Sequence, residues 1–231
     1  MDHIRLSPRL QMVADFVPPC ACAADIGTDH GYLPVWLLQS GVIQSAIAAD
    51  IHAGPLANAR QSAAAYDLEE RFRFVQADGL QFSGAQAADV ITIAGMGGET
   101  ICTILAAAPW LRDGRRLILQ PQSKVPELAD WLWHNGFTIE DAALCRDAGK
   151  RYLALRVLGR VAAQSCTVEQ LLLRHRDPLL PEQLKEEIRR QKRARAGMAH
   201  AKQTPEAALA ALDARLSELE ACLKEVQTWQ S

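Results

Sequence analysis

The chain has 231 residues, 49% hydrophobic and only 6% aromatic, with a formal net charge of −2. That length accommodates one Rossmann-sized domain of about 150 residues plus a smaller appendage, and the apolar content argues against disorder. Near-neutral charge gives no general attraction to nucleic acid, so an RNA partner would need a local basic patch.

The first element is a helix opened by Ser7-Pro8, an N-cap followed by proline at the first helical position, with Leu10, Val13, Phe16 and Val17 at helical spacing. Short apolar runs then recur: CACAADIG, SAIAADI, RFRFVQADG, ADVITIAGMGG and RRLILQPQ, each ending in Gly, Asp or Pro and separated by segments long enough for a helix. Such alternation predicts five parallel strands with helical crossovers. FTIEDAALCR and RYLALRVLGR, joined by DAGK, read as a closing antiparallel hairpin. The expected fold is α/β, a class I methyltransferase Rossmann-like sheet with a terminal antiparallel hairpin, followed by a C-terminal helical hairpin.

Strand signals stop past Gly159. A helix is expected from Glu182 to about Ala201 with Leu184, Ile188 and Met198 on its seam. After Thr204-Pro205 a second follows, whose Leu209, Leu212, Leu216, Leu219, Leu223 and Val226 repeat as a heptad. Two helices joined at Gln203 to Pro205 form an antiparallel hairpin; a dimerisation coiled coil is the alternative. The expected division is residues 1–160 for the sheet domain and 161–231 for the helical one.

The six cysteines, at 20, 22, 102, 145, 166 and 222, have no zinc-finger spacing, so reduced thiols are expected, with no metal site. No charged-then-apolar leader is visible and no apolar run approaches the roughly 20 residues of a membrane span. A cytoplasmic protein is therefore expected.

Open α/β sheets bind ligands at the carboxyl ends of their strands. Four turns collect there. In Asp25-Ile26-Gly27, glycine lets backbone approach a ligand, and Gly31 permits tight packing of strand against helix. GxGxxG is absent; the turn resembles the D/E-x-G-x-x-x-G signature of S-adenosylmethionine-dependent methyltransferases. Asp50, with Ile51 beside it, ends the second strand, where a carboxylate can accept from both hydroxyls of a ribose. Asp78-Gly79 ends the third, where Asp can bind an adenine amino group while Gly admits the ring. Helix capping by Asp50 and Asp78 is the competing explanation. Gly95, Met96 and Gly97 at the fourth strand leave backbone groups uncovered for a methionine moiety or a flat substrate; the alternative is a sharp turn into the helix beginning near Glu99.

RLSPRLQMVADFV, ADIGTDHGYLP, AIAADIHAGP, VQADGL, ITIAGMGGETI, LILQPQ and DAGKRYLALRV, in this order, resemble the bacterial tRNA (adenine-N1)-methyltransferase family that modifies the D-arm adenine at tRNA position twenty-two. The likeness covers nearly all of residues 4 to 158, with departures at Thr28, Gly31 and Gln122. It implies a class I fold, S-adenosyl-L-methionine as donor, and a helical C-terminal domain that binds tRNA.

Adenine N1 is already nucleophilic, so such an enzyme must chiefly align it with the donor methyl. Methylation leaves the base cationic, and a carboxylate near its N6 edge stabilises that charge or helps remove a proton, a role that suits Asp29. His30 would orient it, and Tyr32 would stack on or hydrogen-bond the extruded base. The alternative is that Asp29 caps the next helix, His30 packs on the sheet and Tyr32 fills the core. For tRNA, Lys185, Arg189, Arg190, Lys192, Arg193, Arg195 and Lys202 form a basic stripe able to track phosphates, or an ordinary solvated face. A small-molecule methyltransferase and a non-catalytic nucleotide-binding regulator remain as rival functions.

Overall fold

The computed structural model describes residues 3–161, 166–199 and 206–230. Two compact units divide the chain, Met1–Ser165 and Cys166–Ser231.

In the first unit, helix α1 (Pro8–Asp15) is capped by the Ser7 hydroxyl, which accepts from the Leu10 amide at 3.4 Å. The helix ends before Val17, shorter than its apolar spacing implied, because Phe16 already closes it as the C-cap. Next come β1 (Cys20–Ile26), α2 (Tyr32–Gln39), β2 (Ile43–Asp50), α3 (Ala53–Ala65), β3 (Phe72–Gln76), β4 (Val90–Gly97), α4 (Gly98–Ala106), β5 (Arg116–Ser123), α5 (Val125–His134), β6 (Thr138–Asp147) and β7 (Lys150–Leu158). The sheet order is β3-β2-β1-β4-β5-β7-β6; β1 to β5 are parallel and β7 is antiparallel to both β5 and β6. This is the Rossmann-like methyltransferase sheet with its closing hairpin, as the alternating pattern predicted.

Both faces of the sheet are dry. Val13 and Ala14 of α1 and Leu33, Leu37 and Leu38 of α2 pack with Ala23, Ala46, Val90, Ile118 and Ala154. The alternate residues Ala24, Ile91, Leu117 and Leu119 are equally buried, so the central strands β1, β4 and β5 read as continuous apolar runs. Strand β1 pairs with β2 on one side and β4 on the other. The order reverses between β1 and β4, which makes their carboxyl ends the switch point where such sheets open a crevice.

In the second unit, α6 (Val168–Arg174), α7 (Leu180–Ala199) and α8 (Glu206–Gln227) pack on one another. Helix α6 was missed from the sequence, although Thr167-x-x-Gln170 is a capping box: Gln170 N donates to Thr167 Oγ1, and Thr167 N to Gln170 Oε1. The heptad seam of α8 is buried at Leu216, Leu219 and Val226, and it is filled by α6 and α7 of the same chain. Ion pairs Lys192–Glu220 and Arg195–Asp213 fix α7 and α8 as antiparallel. The seam of α7 is Leu180, Leu184 and Ile188; Met198, expected on it, is exposed. Met198 stands about five full turns past Leu180 and so returns to the same line, but it lies in the last turn of α7, where its side chain is left exposed. The expected junction at Gln203 to Pro205 lies outside the described residues. No helix among the described residues is long and apolar enough to cross a membrane.

Gly98 opens α4 where the chain leaves β4, and a Cβ there would stand 2.6 Å from the Lys124 carbonyl oxygen and 2.9 Å from that of Ser123. Both are backbone atoms that cannot rotate away. Gly98→Ala is therefore expected to cost about 1–3 kcal/mol by overpacking, read as a lowered denaturation midpoint. An unchanged midpoint would mean that the β4–α4 junction relaxes freely.

Candidate active site at the strand ends

The turn after β1 is built around one acceptor. Gly27 has φ +76°, and the amides of Gly27 and Thr28 both donate to the Ala49 carbonyl, at 2.8 and 3.1 Å. A left-handed residue is needed to fold the chain that tightly over the end of β2. The open face of Gly27 is met by the Met96 side chain, whose Cε lies 2.1 Å from where a Cβ would stand. The glycine thus admits Met96 from the end of β4, a protein neighbour in the place where the sequence pointed to a ligand.

Asp25 lies one residue before the strand end, in register with Thr92 of β4, whose hydroxyl donates to Asp25 Oδ1 at 2.7 Å. Burial pushes the Asp25 carboxyl above its ordinary value of 3.8; the Thr92 and Thr28 hydroxyls oppose the shift and the Asp50 carboxylate adds to it. Thr28 is 2% exposed, and its Oγ1 sits beside Asp25 with no hydrogen bond of proper geometry. A half-buried carboxyl and a buried hydroxyl thus lie side by side at the end of β1.

Asp50 does not cap α3; His52 holds that position, and Asp50 Oδ1 accepts from the His52 amide at 2.8 Å. One carboxylate oxygen is thereby committed to the turn after β2. Ile51 is 53% exposed, which is high for an aliphatic side chain beside a strand end. Asp78 is exposed and lies two residues beyond β3, in the turn rather than on the strand.

Three glycines need correction. Gly31, expected to press helix on strand, instead faces Ala59 of α3, 3.0 Å from a Cβ position, so it sets the approach of two helices. The open side of Gly79, expected to admit an adenine ring, meets Ile104 of α4 at 3.0 Å. The amide of Gly95, expected to be uncovered, donates to Gln120 Oε1 at 3.1 Å. That same oxygen accepts from Arg9 Nη1 at 2.9 Å, and Gln120 itself is fully buried. Gly97 stays in the β4 ladder opposite Ser123, after register shifts on either side of Met96. The bulged strand runs directly into α4, so the expected sharp turn is a continuation.

The loop between β1 and α2 carries the proposed catalytic trio. Gly31, not Asp29, is the N-cap of α2, and that cap has no side-chain bond. Asp29 Oδ2 and His30 Nε2 lie 3.5 Å apart, an ion pair when the imidazole is protonated, and the His30 and Tyr32 rings stack with centroids 5.1 Å apart and planes 17° from parallel. Tyr32 is 42% exposed. The purely structural alternative of a cap, a sheet-packed histidine and a core tyrosine is not what forms: the three side chains project together from the rim of the switch point. Arg9 and Gln120 are the residues that sequence reasoning missed. Gln120 was visible within LILQPQ as a polar residue near the end of an apolar run, but nothing in sequence joined it to Arg9.

Residues 6–155 match the methyltransferase domain family. The chain belongs to that family. It is 38% identical over 156 residues to the tRNA (adenine(22)-N(1))-methyltransferase of Bacillus subtilis, a stretch covering 67% of this chain and 66%, just under two thirds, of that protein. Among solved structures it is similar to the B. subtilis tRNA methyltransferase TrmK, at 28% identity, TM-score 0.79, over 96% of this chain and 100% of that one. It is also similar to a Streptococcus pneumoniae chain crystallised in complex with S-adenosyl-L-methionine, at 30% identity, TM-score 0.77, over 95% and 100% of the two chains. The resemblance drawn from ADIGTDHGYLP and ITIAGMGGETI is borne out by these relatives.

The raised pKa of Asp25 makes stability depend on pH. The carboxyl binds its proton more tightly folded than unfolded, so its stabilising contribution is complete below 3.8 and lost as pH rises through the higher folded value. Above its folded pKa the ionised group is a cost that a cationic ligand would offset. Asp25→Asn, which keeps an acceptor for Thr92, is expected to raise the melting temperature of the ligand-free protein at pH 7, with the gain vanishing toward pH 3. It should also reduce the further stabilisation by S-adenosyl-L-methionine. Equal melting profiles across pH would show that the carboxylate is not strained.

Proposed function

We infer that this chain is an S-adenosyl-L-methionine-dependent enzyme that methylates N1 of an adenine in the D-arm of bacterial tRNA. The observation carrying the inference is the Asp29-His30-Tyr32 trio standing exposed at the rim of a methyltransferase switch point, joined to relatives that are tRNA (adenine-N1)-methyltransferases. A cytoplasmic location fits that substrate.

The cofactor, when bound, supplies an electrophilic methyl on a cationic sulfur. Asp25 and Thr28 suit its charged amino-acid end, because one is a half-buried carboxyl whose ionisation is penalised and the other a buried hydroxyl beside it. Asp50 offers its second oxygen to ribose hydroxyls, and Ile51 an apolar face to a base. Asp78 is placed to accept from an adenine amino group. Gly27, Gly95, Met96 and Gly97 shape the wall between the β1 and β4 ends, with Gly31 and Gly79 acting through packing.

The target base must leave its stack to reach this crevice, and a ring exposed like that of Tyr32 gives it a surface to stack on. Its N1 lone pair needs alignment rather than activation. Asp29 faces the positive charge that develops on the purine as the bond forms, and its attraction grows once the RNA excludes water from an otherwise exposed carboxylate. His30 holds Asp29 through their ion pair and Tyr32 through the ring stack. Incubation with isotope-labelled donor and unmodified tRNA, followed by mass spectrometry of nucleosides, is expected to yield 1-methyladenosine; label in another nucleoside would overturn the assignment. Asp29→Asn removes charge but not size, so single-turnover transfer should fall by roughly tenfold or more while cofactor affinity holds. Wild-type rates in that variant would make the Asp29-His30 pair structural.

The basic stripe on α7 serves two purposes in this reading. Lys192 and Arg195 are paired with Glu220 and Asp213 of α8, and Arg190 with Glu187. Lys185, Arg189 and Arg193, four residues apart and exposed, form one outer row about 12 Å long that is suited to RNA phosphates. Lys202 lies outside the described residues. Replacing Lys185, Arg189 and Arg193 together by Gln is expected to weaken tRNA binding and lower its salt-dependence slope by roughly somewhat under one per contact. Thermal unfolding should not move. The Lys192→Gln, Arg195→Gln pair should do the reverse, loosening the helices more than the RNA. Equal affinity and slope in the triple variant would remove this row from recognition.

A further inference from the structure

We propose a second RNA contact on the catalytic unit itself: a phosphate track formed by Arg9 and the β6–β7 hairpin tip, which holds the backbone beside the target adenine. It rests on the tRNA reading above.

Arg9 leaves α1 to reach across the carboxyl ends of the central strands, where Nη1 donates to Gln120 Oε1, the oxygen shared with the Gly95 amide. Gln120 is fully buried and its Nε2 donates to the Pro121 carbonyl at 3.0 Å, so this acceptor cannot turn away. The guanidinium also lies over the Tyr152 ring, 5.7 Å from its centroid, which fixes its plane. One of its five N–H donors is thus committed at the site wall. The group is only half-buried, and the fork that remains is the shape that grips a phosphate.

The hairpin continues the charge. Strand β7 runs antiparallel to β5, so the tip at Asp147–Lys150 stands at the same end of the sheet as the carboxyl ends of β4 and β5. Arg146 and Arg151 face each other across that hairpin, and Lys150 is exposed at its turn. The one carboxylate in the turn, Asp147, accepts from the Arg9 amide at 3.3 Å and from the Ser7 hydroxyl, which hold it below the usual range for a carboxyl and aimed at α1. Its engagement ties the tip to the segment carrying Arg9. The result is a cationic edge that begins at the site wall and extends outward, complementary to an RNA strand whose extruded base enters the crevice. A small-molecule substrate would have no use for it.

The test compares wild type, Arg9→Gln, Arg9→Lys, Lys150→Gln and the Arg9→Gln, Lys150→Gln double variant. Each is measured for tRNA affinity at several salt concentrations, single-turnover methyl transfer, cofactor affinity and thermal unfolding. Arg9→Gln is expected to weaken tRNA binding roughly tenfold, the scale of one charge-assisted hydrogen bond, and to flatten the salt slope by roughly somewhat under one. Arg9→Lys should restore the slope, and the double variant should flatten it further, with cofactor affinity unchanged throughout; loss of the Gln120 bond lowers the unfolding temperature of Arg9→Gln, whereas Lys150→Gln flattens the slope with unfolding unmoved. Unaltered affinity and slope in Arg9→Gln would overturn the proposal. So would lost cofactor affinity or stability at constant slope, which would make Arg9 only a brace for Gln120. A wild-type protein that transfers no methyl to tRNA would sink the broader tRNA reading instead, and that control is scored separately from the variants.

Discussion

The Ala49 carbonyl, holding the amides of both Gly27 and Thr28, is the contact on which the site depends. It folds the chain back at the end of β1, between the two strands that flank it, and so decides that Asp25 is half-buried beside Thr92 while Asp29, His30 and Tyr32 are exposed. One tight turn therefore separates the buried and half-buried residues Asp25 to Thr28 from the exposed side chains of Asp29, His30 and Tyr32. The first part carries a carboxyl whose ionisation is penalised by burial; the second carries exposed polar and aromatic groups.

Around that turn the glycines are mostly occupied by the protein. Met96 lies against Gly27, Ala59 against Gly31, Ile104 against Gly79, and two backbone carbonyls against Gly98. Close packing of this kind draws the β1 and β4 ends together and leaves little slack, so the wall of the crevice is set by helix-to-helix and strand-to-loop approach as much as by any ligand. Gln120 is the polar counterpart. A fully buried amide joining Arg9, Gly95 and Pro121 links the N-terminal helix to the bulged end of β4, where a half-made network would be costly.

Charge is divided in the same economical way in the helical unit. Lys192 and Arg195 neutralise acids of α8 across the helix pair, whereas Lys185, Arg189 and Arg193 have the outer face. A net charge of −2 conceals this, because the acids that balance the stripe lie on the neighbouring helix. Exposed pairs of this type add little stability each, so their chief effect is to set which cations remain outward.

The sequence by itself determined the architecture and the address of the site. Period-two and continuous apolar runs punctuated by Asp and Gly are dictated by a sheet buried on both faces, and they placed β1 to β7, the closing hairpin and the strand-end carboxylates Asp25 and Asp50 within a residue or two. The heptad of α8 was legible for the same reason, since burial of one stripe is a local, periodic demand. What only the tertiary structure decided is which neighbour satisfies each residue. Whether glycine faces a ligand or Ile104, whether a seam meets a second chain or α7, and whether Arg9 touches Gln120 from 111 positions away all depend on contacts between distant segments. Those contacts have no period and leave no spacing to read, because they arise only once separate elements have packed.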